Sequence, residues 1–213
     1  GILKAAVSGG DNERSRIARE LHDGVGGMLS AVMMRFSSMH HEAPAITNTT
    51  AYKDAMGILR EMGDEIRKTA HNLMPEVLLK QSLPEAVGIF CQNVQEGSAL
   101  KIDFQSFGSF DYLSQTYKLN IYRIIQELVK NITIHAHANH ALVQLMHNDN
   151  KLILSVEDNG VGFDVNETKG GLGLHNIRTR VSSMDGHFIL ESAPGKGTTV
   201  IIEFEQEAAA GQI

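Results

Sequence analysis

Two apolar stripes at helical spacing set the plan of the first third of this chain. From Ile17 the positions Ile17, Leu21, Val25, Met28, Val32, Phe36 and Met39 recur at intervals of four, four, three, four, four and three residues, which is one face of an α-helix. A second series, Tyr52, Met56, Leu59, Gly63, Ile66, Ala70 and Leu73, stops before Pro75, where a helix is expected to end. The intervening HHEAPAITNTT carries a proline and a Thr/Asn cluster and reads as a break. The expectation is a helical hairpin. A lone hairpin cannot cover both stripes, which favours pairing of two copies into a four-helix bundle.

The first stripe passes through ELHDGVGG, residues 20 to 27, where three glycines follow a His-Asp pair. Each helix-interior glycine forgoes roughly 0.8–1 kcal/mol relative to alanine, so Gly24, Gly26 and Gly27 need a compensating reason. Helical side chains lean toward the N-terminus, so Gly26 is expected to lie over the His22 ring, while His22 leans over Ala18. That leaves an open lane to the imidazole. Gly24 and Gly27 lie outside this lane; a looser helix or close helix packing are the readings open for them. Asp23 adjoins His22, but neighbours on a helix point about 100° apart, so it is expected to meet the ring only in a favourable rotamer or on docking of another domain. Arg14, Arg16 and Arg19 could attract phosphate or serve as a solvated face.

After Pro75 the texture changes. SLPE at 82 to 85 reads as a capping box opening a helix to about Glu96. There follow a strand LKIDFQSF, a long helix from about Ser114 to His137, strands HALVQLMH and KLILSVED, a glycine-rich loop, a helix over 172–185, and strands HFILES and TTVIIEF. The fold class is therefore α+β, a helical-hairpin domain followed by an α/β sandwich. The expected boundaries are a linker over 1–11, the hairpin domain over 12–75, the sandwich over 80–206 and a tail over 207–213.

Composition narrows the function. A net charge of −6 with dispersed basic residues excludes an electrostatic footprint for nucleic acid. The single cysteine, Cys91, cannot form an internal disulfide; it suits a reducing, cytoplasmic compartment and reads as a small buried hydrophobe. No apolar run approaches the ~18–20 residues of a membrane span, so a membrane link is expected only through a missing N-terminal part.

Four motifs in the second domain converge. In the long helix Arg123, Glu127, Asn131 and His135 are four apart and form a polar stripe, while Ile121, Ile125, Leu128 and Ile132 lie on faces that can be buried. A carboxylate and a carboxamide one turn apart can hold hydrated Mg²⁺ with substrate phosphates; a solvated face is the plainer reading. EDNGVGFD at a strand end offers Asp158 as an acceptor for a donor such as an exocyclic amine, with Gly160 and Gly162 allowing close backbone approach. In KGGLGLHNIRTR, Gly170, Gly171 and Gly173 precede a helix whose amides can meet phosphate. GKGTT brings Thr198 into the last strand. The histidines of HAHANH lack a cysteine or acidic companion within the run, and His40 and His41 read as solvated loop residues.

In this order and spacing the four motifs resemble the nucleotide-binding domain of the histidine kinase and gyrase superfamily of ATPases, over roughly residues 80–205. ERSRIARELHDGVGG is similar to the dimerisation and phosphoacceptor box of the sensor histidine kinases with an E-L-H-D signature. The resemblance implies ATP and Mg²⁺ as cofactors, with Asn131 and Glu127 as the metal-site residues and Asp158 reading the adenine amino group. It implies that Gly160, Gly162, Gly171 and Gly173 shape the pocket and a small lid, that Thr198 backs the adenine end, and that His135 and Leu174 touch the nucleotide. His22 is then the phosphoacceptor, with Asp23 accepting or orienting its proton and Glu127 supporting the reaction. The implied partners are a second copy of the chain and the receiver domain of a response regulator, whose Asp takes the phosphoryl group.

Two departures stand out. Many members of the superfamily carry a basic residue where this chain has Ile134, with Lys130 or His135 as candidates to compensate. The fifth residue after the acceptor is commonly a Gln thought to position water for dephosphorylating the regulator, and here it is Gly27. Two other readings stay open: a nucleotide-binding signalling scaffold that transfers little phosphate, and an ATP-gated dimer clamp, which gives no reason for the E-L-H-D box.

Overall fold

The computed structural model describes residues 13, 16–148, 150–165 and 172–205. The chain divides into two compact units, residues 1–80 and 81–213.

The first unit is the expected hairpin. A π-helical segment Glu20–Val25 leads into α1 (Gly26–Glu42), a short α2 (Pro44–Thr47) fills the expected break, and α3 (Thr50–Leu73) returns. Thr49 caps α3 by accepting from the Tyr52 amide, and Pro44 occupies the first turn of α2, where its missing N–H costs nothing. Tyr52 ties the two arms by donating its hydroxyl to the Phe36 carbonyl, its ring 6.1 Å from that of Phe36. Beyond Pro75 the unit closes with α4 (Glu76–Lys80), anchored by buried Met74 and Leu78. The first stripe is only partly covered within one chain: Met28 is 68% exposed, and Val25 and Val32 also face solvent, as do Ile58 and Met62 beside the second stripe.

The second unit opens with α5 (Leu83–Glu96), whose Ser82 and Glu85 form the reciprocal capping box anticipated from SLPE. Next come β1 (Lys101–Phe107), α6 (Gln115–Asn131), β2 (His140–Asn148), β3 (Lys151–Asp158), α7 (Leu172–Ser183), β4 (Gly186–Ser192) and β5 (Thr198–Glu205). Among the described residues five strands form one sheet in the order β1-β2-β3-β5-β4, with β1 and β2 parallel and the other pairs antiparallel. Period-two burial puts Ala141, Val143 and Leu145 of β2, Leu152, Leu154 and Val156 of β3, and Val200, Ile202 and Phe204 of β5 on the core face. Against them packs the apolar side of α6, with Ile121, Ile125, Leu128 and Ile132 all buried as the spacing requires. Cys91 is buried, and desolvation pushes its thiol up to about 11.

Two helices depart from expectation in the same way. The stretch ELHDGV and the last turn of the long helix, Ile132–Ala136, are π-helical, the latter ending at His137 in a left-handed conformation with φ of 50°. A π turn inserts one residue without breaking the helix, and apolar periodicity is too coarse to register it. No described helix is long and apolar enough to cross a membrane.

Candidate nucleotide site and acceptor histidine

The larger site is built by strand register. Asp158 is the next inward position after Leu152, Leu154 and Val156, so β3 delivers a carboxylate to the core face at its end, and its residue is only 6% exposed. It pairs in register with Thr198 of β5, which pairs in turn with Ser192 of β4. The Gly160 amide donates to Asp158 Oδ1 at 2.8 Å. Burial raises the Asp158 pKa, while the backbone amides of Gly160 and Thr198 oppose that rise.

Around this carboxylate lies a cavity of about 670 Å³, within the range of roughly 300–1,000 Å³ common for small-molecule sites. Its walls include Ile132, Val156 and Val200, with Glu127, Asn131, Lys130 and His135 from the α6 end and Gly173 and Leu174 from α7. The π turn shapes one wall, because its Ala136 carbonyl accepts the Val161 amide at 2.7 Å. A Cβ on Gly160 would stand 2.1 Å from that carbonyl oxygen, so only glycine fits there. Gly162, at φ 58°, turns the chain beside Ala193 and Gly197.

Glu127 and Asn131 converge. A Cβ built on Gly173 would sit 2.7 Å from Glu127 Oε1 and 3.3 Å from Asn131 Oδ1, so the two oxygens address one small volume at the start of α7. Two oxygens in a space left free by glycine fit a hydrated divalent cation, which takes one or two protein ligands and completes its shell with water and phosphate. Glu127 Oε2 also lies 3.7 Å from Lys130 Nζ. Ile134 is 55% exposed at the cavity rim, with Lys130 and His135 beside it.

Of the expected site residues, the structure brings Glu127, Asn131, His135, Asp158, Gly162, Gly173, Leu174 and Thr198 to one cavity, with Gly160 hydrogen-bonded to Asp158 beneath it. Gly171, with Gly170 and the lid, lies outside the described residues, as does Arg14. Ser192 is a site residue the sequence reading passed over. Its hydroxyl bonds Thr198 Oγ1 at 3.0 Å, donates to the Gly197 carbonyl and accepts the Phe163 amide, so it braces both loops. The inward parity of HFILES was the available signal. In HAHANH, His140 leaves the site and pairs with Asp103 at 2.9 Å.

The smaller site surrounds His22. Asp23 Oδ1 meets His22 Nδ1 at 2.8 Å, so the neighbour reaches the ring within the hairpin itself, without a docked domain. Glu76 Oε2, from α4, meets Nε2 at 2.8 Å. Both partners are acceptors when ionised, so each contact is a hydrogen bond only while the facing ring nitrogen carries a proton. The Asp23 hydrogen bond raises the His22 pKa above its ordinary value of 6.5, burial opposes this, and Glu76 adds to the rise; the Asp23 pKa is lowered chiefly by its hydrogen bond to His22, and that of Glu76 chiefly by Lys80, with His22 adding to it. Arg16 is tied to Glu13 and Glu20 and does not face the ring.

The glycines of this segment are corrected by the π turn. A Cβ at Gly26 would meet the Leu21 carbonyl oxygen at 3.2 Å and comes within 4 Å of no His22 side-chain atom. The Gly26 amide donates to that same carbonyl, five residues back. The glycine therefore serves the tight backbone of the π turn rather than clearance over the imidazole. Gly24 and Gly27 face open space.

Both units match families of known proteins. Residues 13–78 match the family described as histidine kinase, and residues 116–208 match the histidine kinase-, DNA gyrase B-, and HSP90-like ATPase family. An ATP-binding sheet domain joined to a histidine-bearing hairpin is thus the class of protein defined here. The chain carries a histidine kinase domain followed by an ATPase domain, and its relatives are sensor histidine kinases. It is 32% identical over 204 residues to the sensor histidine kinase ComP of Bacillus subtilis, covering 92% of this chain and 26% of that protein. To the sensor histidine kinase MctS of Rhizobium johnstonii it is 30% identical over 205 residues, 93% of this chain and 44% of that protein. To the signal transduction histidine-protein kinase/phosphatase DegS of Brevibacillus brevis it is 26% identical over 196 residues, 90% and 51% respectively. The chain therefore spans about half or less of these relatives. The histidine kinase domain of the Erythrobacter litoralis EL346 blue-light activated histidine kinase shares the fold, with TM-score 0.51, 17% identity and coverage of 92% and 93%.

Proposed function

We propose that the chain is the catalytic core of a two-component sensor histidine kinase, in which ATP bound in the second unit phosphorylates His22 and the phosphoryl group passes to an Asp of a response regulator. The single observation that carries this reading is His22 with a carboxylate on each ring nitrogen, in a chain that also holds the nucleotide cavity. Asp23 on Nδ1 keeps a proton there, so that loss of the other proton leaves the Nε2 lone pair as nucleophile. Nε2 then bonds the γ-phosphorus, the bond to the bridging oxygen breaks, and ADP leaves with that electron pair. Asp23 stabilises the positive ring that forms. Catalysis rests on positioning and electrostatics.

In the nucleotide site Asp158 accepts from the adenine amine, backed by Thr198, while Ile132, Val156, Val200 and Leu174 sandwich the base. His135 and Lys130 face the phosphates at the rim in place of a cation at Ile134. Glu127 and Asn131 hold Mg²⁺, which when bound neutralises phosphate charge. Residues 12–75 act as the dimerisation and phosphotransfer domain and 80–206 as the ATP-binding domain, flanked by 1–11 and 207–213. The exposed Met28, Val32 and Met62 support a homodimer, since large apolar side chains left in water favour burial against their like. The catalytic core would work in the cytoplasm. The test is incubation with γ-labelled ATP. Acid-labile, base-stable label that disappears in His22→Ala supports the reading; undiminished label in that variant rejects it.

A further inference from the structure

We propose that Glu76 is a gate on the acceptor: its carboxylate stands where a phosphoryl group must approach His22 Nε2, and phosphorylation requires α4 to carry it away. This rests on His22 being the acceptor. The steric conflict is direct. Glu76 Oε2 lies 2.8 Å from Nε2, and an attacking nitrogen needs the phosphorus within about 3–3.5 Å along the same lone-pair direction. The two cannot be there together. The protonation conflict points the same way, because a nitrogen donating to Glu76 has no lone pair to offer.

The contact is built into the fold. Glu76 begins α4, its other oxygen is held by Lys80 one turn on at 2.5 Å, and the helix is seated by Leu78, which is 2% exposed. The ring itself meets Asp23 from its own helix and Glu76 from α4; Arg67 and Lys68 of α3 line the cavity beside it, and Arg19 and Lys80 act on Asp23. Arg67, Lys68 and Glu76 border, with His22, a cavity of about 370 Å³, which leaves room for a phosphoryl group beside cationic side chains once the carboxylate withdraws. Immediately after Lys80 the chain enters the nucleotide-binding unit. A pull on that connection displaces α4, and with it Glu76, so acceptor availability is coupled to the chain segment that joins the two units.

The experiment compares Glu76→Ala, which removes both conflicts, with Glu76→Gln, which removes the proton acceptor and keeps the bulk. Initial autophosphorylation rates are measured with γ-labelled ATP across the imidazole titration range, and the His22 titration is followed by NMR without nucleotide. The expected result is a lower His22 titration midpoint in both variants. At or below neutral pH, Glu76→Ala speeds labelling by roughly two- to fivefold, the span of a partly exposed ion pair, and Glu76→Gln by less. A rate that falls in both variants, or a midpoint that does not move, overturns the proposal. If Glu76→Ala does not fold, Glu76→Gln alone decides by its midpoint and its acid-side rate. Label that survives in His22→Gln defeats the acceptor assignment instead, which the nucleotide-free titration reads separately.

Discussion

Gly160 is a position where the wall of the nucleotide cavity has no room for a side chain, and Gly160→Ala measures it. The new Cβ would lie 2.1 Å from the Ala136 carbonyl oxygen, whereas carbon and oxygen approach no closer than about 3.3 Å without strain. The β3 end and the π turn must therefore separate by about 1.2 Å. That separation breaks the 2.7 Å bond from the Val161 amide to Ala136. Losing a net hydrogen bond costs about 0.5–1.5 kcal/mol and leaving its partners poorly satisfied about 1–3 kcal/mol more, so ~2–4 kcal/mol in all. For a unit of this size the transition falls by roughly 8–15 °C. Because Val161 and Ala136 also line the cavity, binding of a fluorescent ATP analogue should weaken at least tenfold, a conservative order of magnitude for a loss of this size. Calorimetry and analogue titration read both. Gly27→Ala is the control, since its Cβ meets nothing within 4 Å and a helical alanine is expected to stabilise by up to ~1 kcal/mol. An unshifted melt with undiminished nucleotide binding in Gly160→Ala would refute the close-packing argument.

Asp158→Asn presents an amide to the Gly160 amide and removes the charged acceptor, so ATP affinity should fall by about 10- to 100-fold, with the preference for adenine over hypoxanthine nucleotides lost; equal titration curves for the two proteins contradict the assignment. The hairpin's pH dependence follows from opposite shifts. The raised His22 pKa gives stability that is full below its ordinary 6.5 and fades as pH rises through the higher folded value, while the lowered pKa values of Asp23 and Glu76 give stability present above their ordinary range and lost as pH falls through the folded values. The hairpin should therefore be most stable in mildly acidic solution, and His22→Gln should flatten the neutral-side decline in pH-dependent melts; a wild-type-like decline speaks against it. Gly27→Gln fits the open space at that position and should increase removal of phosphate from a phosphorylated regulator. No gain in that assay would show that the missing amide is not what limits dephosphorylation.

The elements were legible in the sequence because their signals are local. Apolar spacing marks each helix face, a capping box marks the start of α5, and strand parity alone is enough to turn Asp158 inward after Val156. The two π turns were not legible, since one added residue leaves the apolar pattern almost intact; Gly26 was misassigned for that reason, its neighbour being the Leu21 carbonyl rather than the imidazole. Strand pairing decided that Asp158, Thr198 and Ser192 share a row. Packing of α7 against α6 decided that Gly173 leaves a cradle between Glu127 and Asn131. Folding of α4 against the hairpin decided that Glu76 covers His22 Nε2. These contacts join residues far apart in the chain, and no local propensity encodes the distance at which two separately formed elements come to rest. Residue types mark out which side chains are able to take part in phosphoryl chemistry; packing selects which of them meet.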